Sequence, residues 1–132
     1  MAGHAIELIL SRQWADALNI PVFIVDPRGN LIFYNPPAEV LLGQRYEDTG
    51  EMAMEIWSTS FFPTNEEGTP IPPEEIPLVN CIKNREPAHN TFWIKSFDGR
   101  SVKISVTAIP IVGRAKEFLG AMAIFWDNEI EV

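Results

Sequence analysis

Val22-Phe23-Ile24-Val25-Asp26-Pro27-Arg28-Gly29-Asn30-Leu31-Ile32-Phe33-Tyr34-Asn35-Pro36-Pro37 is the stretch that decides the fold. Val22 to Val25 is short, wholly apolar and rich in β-branched residues, so it reads as a strand. Asp26 to Asn30 is turn chemistry: Pro27 presets one φ angle and Gly29 permits a positive one. Leu31 to Tyr34 is a second strand, and the two make a β-hairpin. Asn35 then caps a helix opened by prolines, which are tolerated where no amide donor is needed. That helix is short, because Gly43 after Leu42 is a left-handed stop.

Upstream of the hairpin, Ile6, Ile9, Leu10, Trp14, Ala17 and Leu18 recur at helical spacing, with Glu7, Arg12 and Asp16 on the other side. This is an amphipathic helix, stopped by Asn19 and Pro21. Downstream, Met52 to Trp57 reads as a helical turn or two. A proline-rich loop, Pro63 to Pro73, leads to a helix from about Pro77 to Lys83. Thr91 to Phe97 and Arg100 to Ile109 flank Asp98-Gly99, a hairpin signal, and Phe118 to Trp126 is the last strand. Strands at both ends with helices between them predict an α+β domain: a five-stranded antiparallel sheet with short helices over one face.

The composition bounds the function. With 132 residues, 46% of them hydrophobic, the chain is one domain with one core. Eighteen acidic residues against ten basic ones give a net charge of −8. Such a surface repels phosphate backbones, so no nucleic-acid partner is expected. The basic pair Arg114 and Lys116 reads as a solvated loop tip. No apolar run approaches the twenty or so residues of a membrane helix, and no membrane partner is expected. The single cysteine, Cys81, cannot form an internal disulfide, which fits a cytoplasmic protein. No secretory leader is read at the N-terminus. Phosphate-binding glycine loops, a nucleophile elbow and a zinc-protease motif are all missing from the sequence, and the acidic pairs Glu66-Glu67 and Glu74-Glu75 point different ways. No catalysis and no metal site are expected.

Four pieces of the chain resemble the PAS domain family, in the family's order. Phe23 to Asn35 resembles its opening hairpin. Glu67 to Leu78 resembles the loop that enters its long helix. Asp98-Gly99-Arg100 with Val102 to Pro110 resembles the next hairpin, and Gly120 to Asp127 the final strand. The resemblance covers nearly the whole chain. It implies a sheet order 2-1-5-4-3, helices closing a pocket over one face, and a sensory or dimerisation role in intracellular signalling. It divides the chain into an N-terminal helix, 1–19, that covers the sheet or dimerises, and the domain proper, 20–132. One departure is Asp127-Asn128-Glu129, where many relatives have Asp-x-Thr; Glu129 stands in place of the Thr that couples the sheet to an output helix.

The resemblance also frames the cofactor question. Photosensors of this family carry a cysteine in an Asn-Cys-Arg stretch on an earlier helix than the one holding Cys81, so covalent flavin chemistry is not expected. Haem is a minor alternative, with His89 or Cys81 as axial ligand. The cofactor itself stays unknown. Strand alternation and the family's topology place Phe33, Leu41, Trp57, Phe61, Phe62, Ile82, Phe92, Ile104 and Trp126 inward, as the lining of a pocket for a small apolar or aromatic ligand. The same residues would equally fill a core that binds nothing and serves as a dimerisation module. Ile24, Ile32, Trp93 and Phe125 are expected to point away from that pocket. A sheet face so apolar needs a cover, and the stripe Ile6, Leu10, Trp14 and Leu18 supplies one, on its own sheet or on a second copy. A homodimer through this helix and the outer sheet face is therefore expected. Deletion of residues 1 to 18 is predicted to give an aggregating or unfolded domain in size-exclusion chromatography and circular dichroism. A soluble, folded monomer would contradict it.

Overall fold

The computed structural model describes residues 6–60, 63–96 and 99–131; for 59, 60 and 127–131 only the backbone is described. Helix α1 (Ile6–Asp16) precedes the hairpin β1 (Val22–Val25) and β2 (Leu31–Tyr34). Short helices follow: α2 (Pro36–Leu42), α3 (Tyr46–Thr49), α4 (Met54–Ser60) and α5 (Pro77–Asn84). The chain closes with β3 (Ala88–Lys95), β4 (Ser101–Val112) and β5 (Phe118–Glu131). The five strands form one sheet, ordered β2-β1-β5-β4-β3, with every pair antiparallel. This is the α+β architecture that the alternation of elements predicts.

Local chemistry accounts for most boundaries. Asn35 caps α2 through Ala38 N–H, and Gly43 ends that helix at φ 75°. Several boundaries differ from expectation: β3 starts at Ala88 rather than Thr91, and β4 runs to Val112 rather than Ile109. Met52, expected in a helix, pairs instead with Leu31, exchanging both backbone hydrogen bonds at 2.7 and 3.0 Å. It thereby shields the free edge of β2, and α4 starts two residues later. Strand β5 also runs on past Trp126 to Glu131 because β4 supplies partners as far as Ser101.

The sheet separates two apolar clusters. On the inner face, Phe23, Val25, Tyr34, Phe92, Ile94, Ile104, Val106, Ala121, Ala123 and Phe125 pack under α2, α4 and α5. On the outer face, Val22, Ile24, Ile32, Phe33 and Met122 pack against Leu8 and Ala15 of α1. Arg12 of α1 adds a cation–π contact, its guanidinium 4.6 Å from the Phe33 ring centre. The helix docks by its Leu8–Ala15 side, so Ile6, Leu10 and Trp14 stay 67%, 55% and 59% exposed.

Three facings are corrected. Phe33, expected inward, lies in the outer cluster. Register slips in β2, where Ile32 and Phe33 together oppose Ile24, and this bulge turns both side chains outward. Trp126, also expected inward, is exposed, and Phe125, expected outward, is buried in the inner cluster. Strand β5 reads Ala121-Met122-Ala123-Ile124-Phe125-Trp126, apolar on both faces, so polarity sets no phase along it. The small Ala121 and Ala123 fit opposite Val25 and Phe23, and they fix Phe125 inward.

Two residues join the layers. Asn35 is fully buried: its Oδ1 accepts from Val22 N–H and Ala38 N–H, and its Nδ2 donates to the carbonyls of Ala15 and Ile20. Gly120 takes φ 148°, and a Cβ there would stand 2.3 Å from the Val25 carbonyl oxygen and 3.0 Å from Leu8 Cδ2. Strands β1 and β5 and helix α1 meet at this point, and no side chain fits. Asn35→Ala takes the acceptor from the Val22 and Ala38 amides and a donor from the Ala15 and Ile20 carbonyls, of which Ala15 O keeps Leu18 N–H. The expected cost is at least about 2 kcal/mol, since each of the two unsatisfied amides costs roughly 1–3 kcal/mol. Urea unfolding checks it, and a loss under about 1 kcal/mol would show that Asn35 is only a cap.

Candidate functional site: an apolar cavity between sheet and helices

The cavity lies between the inner sheet face and the helices. Phe23, Phe92, Ile94, Ile104, Val106, Ala123 and Phe125 form its floor, and Leu42, Trp57, Ser58, Ile76 and Leu78 its walls, with Pro63 and Pro77. Its volume is about 50 Å³. A water molecule's share of the liquid is about 30 Å³, and drug-sized ligands occupy clefts of roughly 300–1,000 Å³. The space takes a few heavy atoms. Larger hollows, of about 370 and 380 Å³, lie at the surface beside Thr64 and Ser101 and beside α2.

Of the residues expected to line the pocket, Trp57, Phe92 and Ile104 do so. Leu41 is buried in the inner cluster and Ile82 packs half-buried against it, both outside the lining. Phe33 and Trp126 lie on the other face of the sheet. Phe61 and Phe62 fall outside the described residues. The other lining residues, Phe23, Leu78 and Phe125 among them, were missed by sequence reasoning. The β1 register gave the signal for the first: Phe23 opposes Ala123 and Tyr34, so all three share a face.

Trp57 ties its wall of the cavity to the hairpin turn through its side chain. Its ring borders the cavity while Nε1–H donates to the Gly29 carbonyl at 2.8 Å, fully buried. Tyr34, on the same face, hydrogen-bonds Gln44 O at 3.0 Å and Thr49 Oγ1 at 2.9 Å, and burial raises its pKa. Among the described residues, no buried side-chain nitrogen or oxygen lacks a partner. The cavity therefore offers a ligand shape and apolar contact, with no unused polar group to read a charged or strongly polar one.

The cofactor candidates do not converge on this space. His89 is exposed on β3, its Nδ1 2.9 Å from Thr107 Oγ1, which also accepts from the exposed Trp126 Nε1. Phe92 and Ile94 face the cavity, so His89 and Trp93 lie on the opposite face by alternation. Cys81 is buried in the inner cluster but does not border the cavity. The residues present do not fit haem, and the space is far too small for a tricyclic flavin ring.

Burial pushes the Cys81 thiol up to about 11 from 9.0. At neutral pH it is a protonated core group, and a thiolate is the reactive and ligating form. The sign of the linkage follows. The unfolded thiol loses its proton near pH 9 while the folded one keeps it to about 11, so stability falls as pH rises through that window. Cys81→Ala is expected to flatten the loss between pH 9 and 10, below the range where Tyr34 and Tyr46, both raised, add their own. Urea midpoints at three pH values measure it. An unchanged slope would place the thiol in a solvated setting.

Comparison with known proteins agrees with this architecture. A PAS domain crystal structure from Colwellia psychrerythraea is similar at TM-score 0.64 and 20% identity, covering 90% of this chain and 96% of that one. The Rhodobacter sphaeroides LOV protein aligns at TM-score 0.70 and 12% identity over 92% of this chain and 67% of that one. The PAS domain of the fruit-fly ELK potassium channel aligns at 0.72 and 11% over 91% and 95%. At these identities the likeness concerns the fold alone. Among curated proteins no sequence matches. The family model for the PAS domain matches residues 10–77, just over half of the sequence and the part that holds the hairpin, Asn35 and Trp57. The chain belongs to the PAS domain family.

Proposed function

We propose that this chain is a sensory or signalling module of the PAS type that works chiefly through contacts between protein surfaces, with two copies pairing along α1 and the outer sheet face. The observation that carries this reading is the α1 stripe: Ile6, Leu10 and Trp14, one turn apart, are all more than half exposed although the helix is docked. Three large apolar side chains in a row form a patch of the kind that marks interfaces, and tryptophan is enriched at binding hot spots. Trp126, 54% exposed on the same sheet face that α1 partly covers, extends the apolar surface. Among the described residues no helix is long and apolar enough to cross a membrane. The reading calls for no catalysis and places the output in an effector, in this chain's natural context or in another protein.

A second reading keeps a small apolar or aromatic ligand in the cavity, against Trp57, Phe92 and Ile104, with the change passed on through the dimer contacts. The nearly wholly apolar lining favours it, and the small volume limits it to a ligand of a few atoms unless the walls move apart.

Native mass spectrometry, repeated under denaturing conditions, separates the two. Bare mass at dimer stoichiometry is the expected result. A discrete extra mass lost on denaturation would make the ligand reading the right one. Trp14→Glu puts a charge into the proposed interface without touching the docked side of α1. It is predicted to weaken the dimer by at least about tenfold, since losing a buried aromatic contact costs more than roughly 1.4 kcal/mol. Light scattering after size exclusion measures this, and an unchanged dimer would move the interface elsewhere.

A further inference from the structure

The β1–β2 turn and the segment leading into α4 are held together at several points. Leu31 and Met52 exchange two backbone hydrogen bonds. A Cβ at Gly29, where φ is 91°, would stand 3.1 Å from Met54 Sδ and 3.3 Å from Ile82 Cδ1, so α4 and α5 press directly on the turn. The turn is itself stiffened by Asp26, whose carboxylate accepts from the Arg28 and Asn30 amides and from Asn30 Nδ2. The last link is the Trp57 hydrogen bond to the Gly29 carbonyl, made by the ring that borders the cavity.

That ring has two demands on its position. On one side its apolar body lines the cavity whose floor is Phe92, Ile104 and Phe125, so the filling of that space bears on where it rests. The Gly29 carbonyl sets where Nε1 points, and a hydrogen bond weakens steeply once it bends or stretches. A change in the volume beneath the ring therefore alters the bond above it. One residue before the turn, the Val25 carbonyl meets Gly120 and Leu8, where α1 rests on the sheet.

We infer that Trp57 is a positioning residue that couples the packing of the cavity to the order of the β1–β2 turn. Any change of volume in the cavity, by a ligand or a core substitution, is felt as opening of that turn. The inference does not depend on the dimer, nor on a ligand.

The test uses the full chain and amide exchange followed by NMR. Ile104→Val removes one methylene from the cavity floor, a change that cores tolerate. Exchange at Gly29, Leu31 and Met52, and at the Trp57 indole N–H, is expected to quicken by roughly fivefold or more relative to the Thr64 and Trp93 amides. Those two bond each other at the β3 edge, away from the turn. Trp57→Phe keeps a ring and removes the donor. In that background the turn is expected to exchange faster from the outset, and Ile104→Val to add nothing further. A turn unmoved by Ile104→Val, a uniform acceleration that includes Thr64 and Trp93, or additive effects of the two substitutions would overturn the proposal. If Trp57→Phe does not fold, the indole N–H in the Ile104→Val protein decides alone.

Discussion

The side chain of Asn35 is the constraint on which the arrangement of layers depends. A carboxamide offers two donors and two acceptor sites, and all four are used inside the protein, on Ala15, Ile20, Val22 and Ala38. These residues belong to the end of α1, the approach to β1, the first residue of β1 and the first turn of α2. One residue thus fixes where the outer helix stops, where the hairpin starts and how the inner layer begins. In the buried setting a missing partner is expensive, so the four bonds behave as one joint rather than four independent contacts. Helix α1 is short and amphipathic, and on its own it would be marginal. It is placed because the Ala15 carbonyl near its end has a specific donor, Asn35 Nδ2, to meet.

Much of this was legible in the sequence. The hairpin, the Asn35 cap, the Gly43 stop and the order of elements are local chemistry, and each is found where the residues place it. Asn35 as a cap needs only its neighbours three residues on; its other three bonds depend on where α1 and β1 dock, which no window of sequence contains. Facing was less legible for a related reason. Alternation predicts a side only while register is unbroken and one face is polar. The β2 bulge breaks the first condition at Phe33, and the doubly apolar β5 breaks the second at Phe125 and Trp126. The candidate site inherits these errors. Trp57, Phe92 and Ile104 border the cavity, while Phe33 belongs to the outer cluster and Trp126 is exposed.

The size of the cavity bears on what kind of signal suits the domain. Large aromatic side chains are a reason to expect a pocket, yet with Phe23, Phe92, Phe125 and Trp57 around it the space is only about 50 Å³. Dense packing is the default of protein interiors, and aromatics fill space as readily as they line it. Meanwhile the outer surface carries unburied apolar side chains that the fold itself does not need. The balance between a nearly filled interior and an incompletely covered exterior is what favours contact between proteins over capture of a sizeable ligand.

The two faces nevertheless share one strand. Phe23 and Val25 of β1 look into the inner cluster, Val22 and Ile24 into the outer one, and all four are buried. A rearrangement on one side cannot leave the other untouched, because close-packed interiors transmit displacement. The strand is not held equally at its ends. At Val22 it is fixed by Asn35, which bonds the amide and leaves no slack. At Val25 it runs into a turn whose position depends on Trp57 and on the packing of Met54 and Ile82. Displacement of β1 is therefore directed toward its turn end. That end lies against Gly120 and Leu8, on the half of α1 that carries the exposed Ile6 and Leu10. A small volume change inside would thus be expressed where the outer helix meets the sheet, rather than at the joint that holds the fold together.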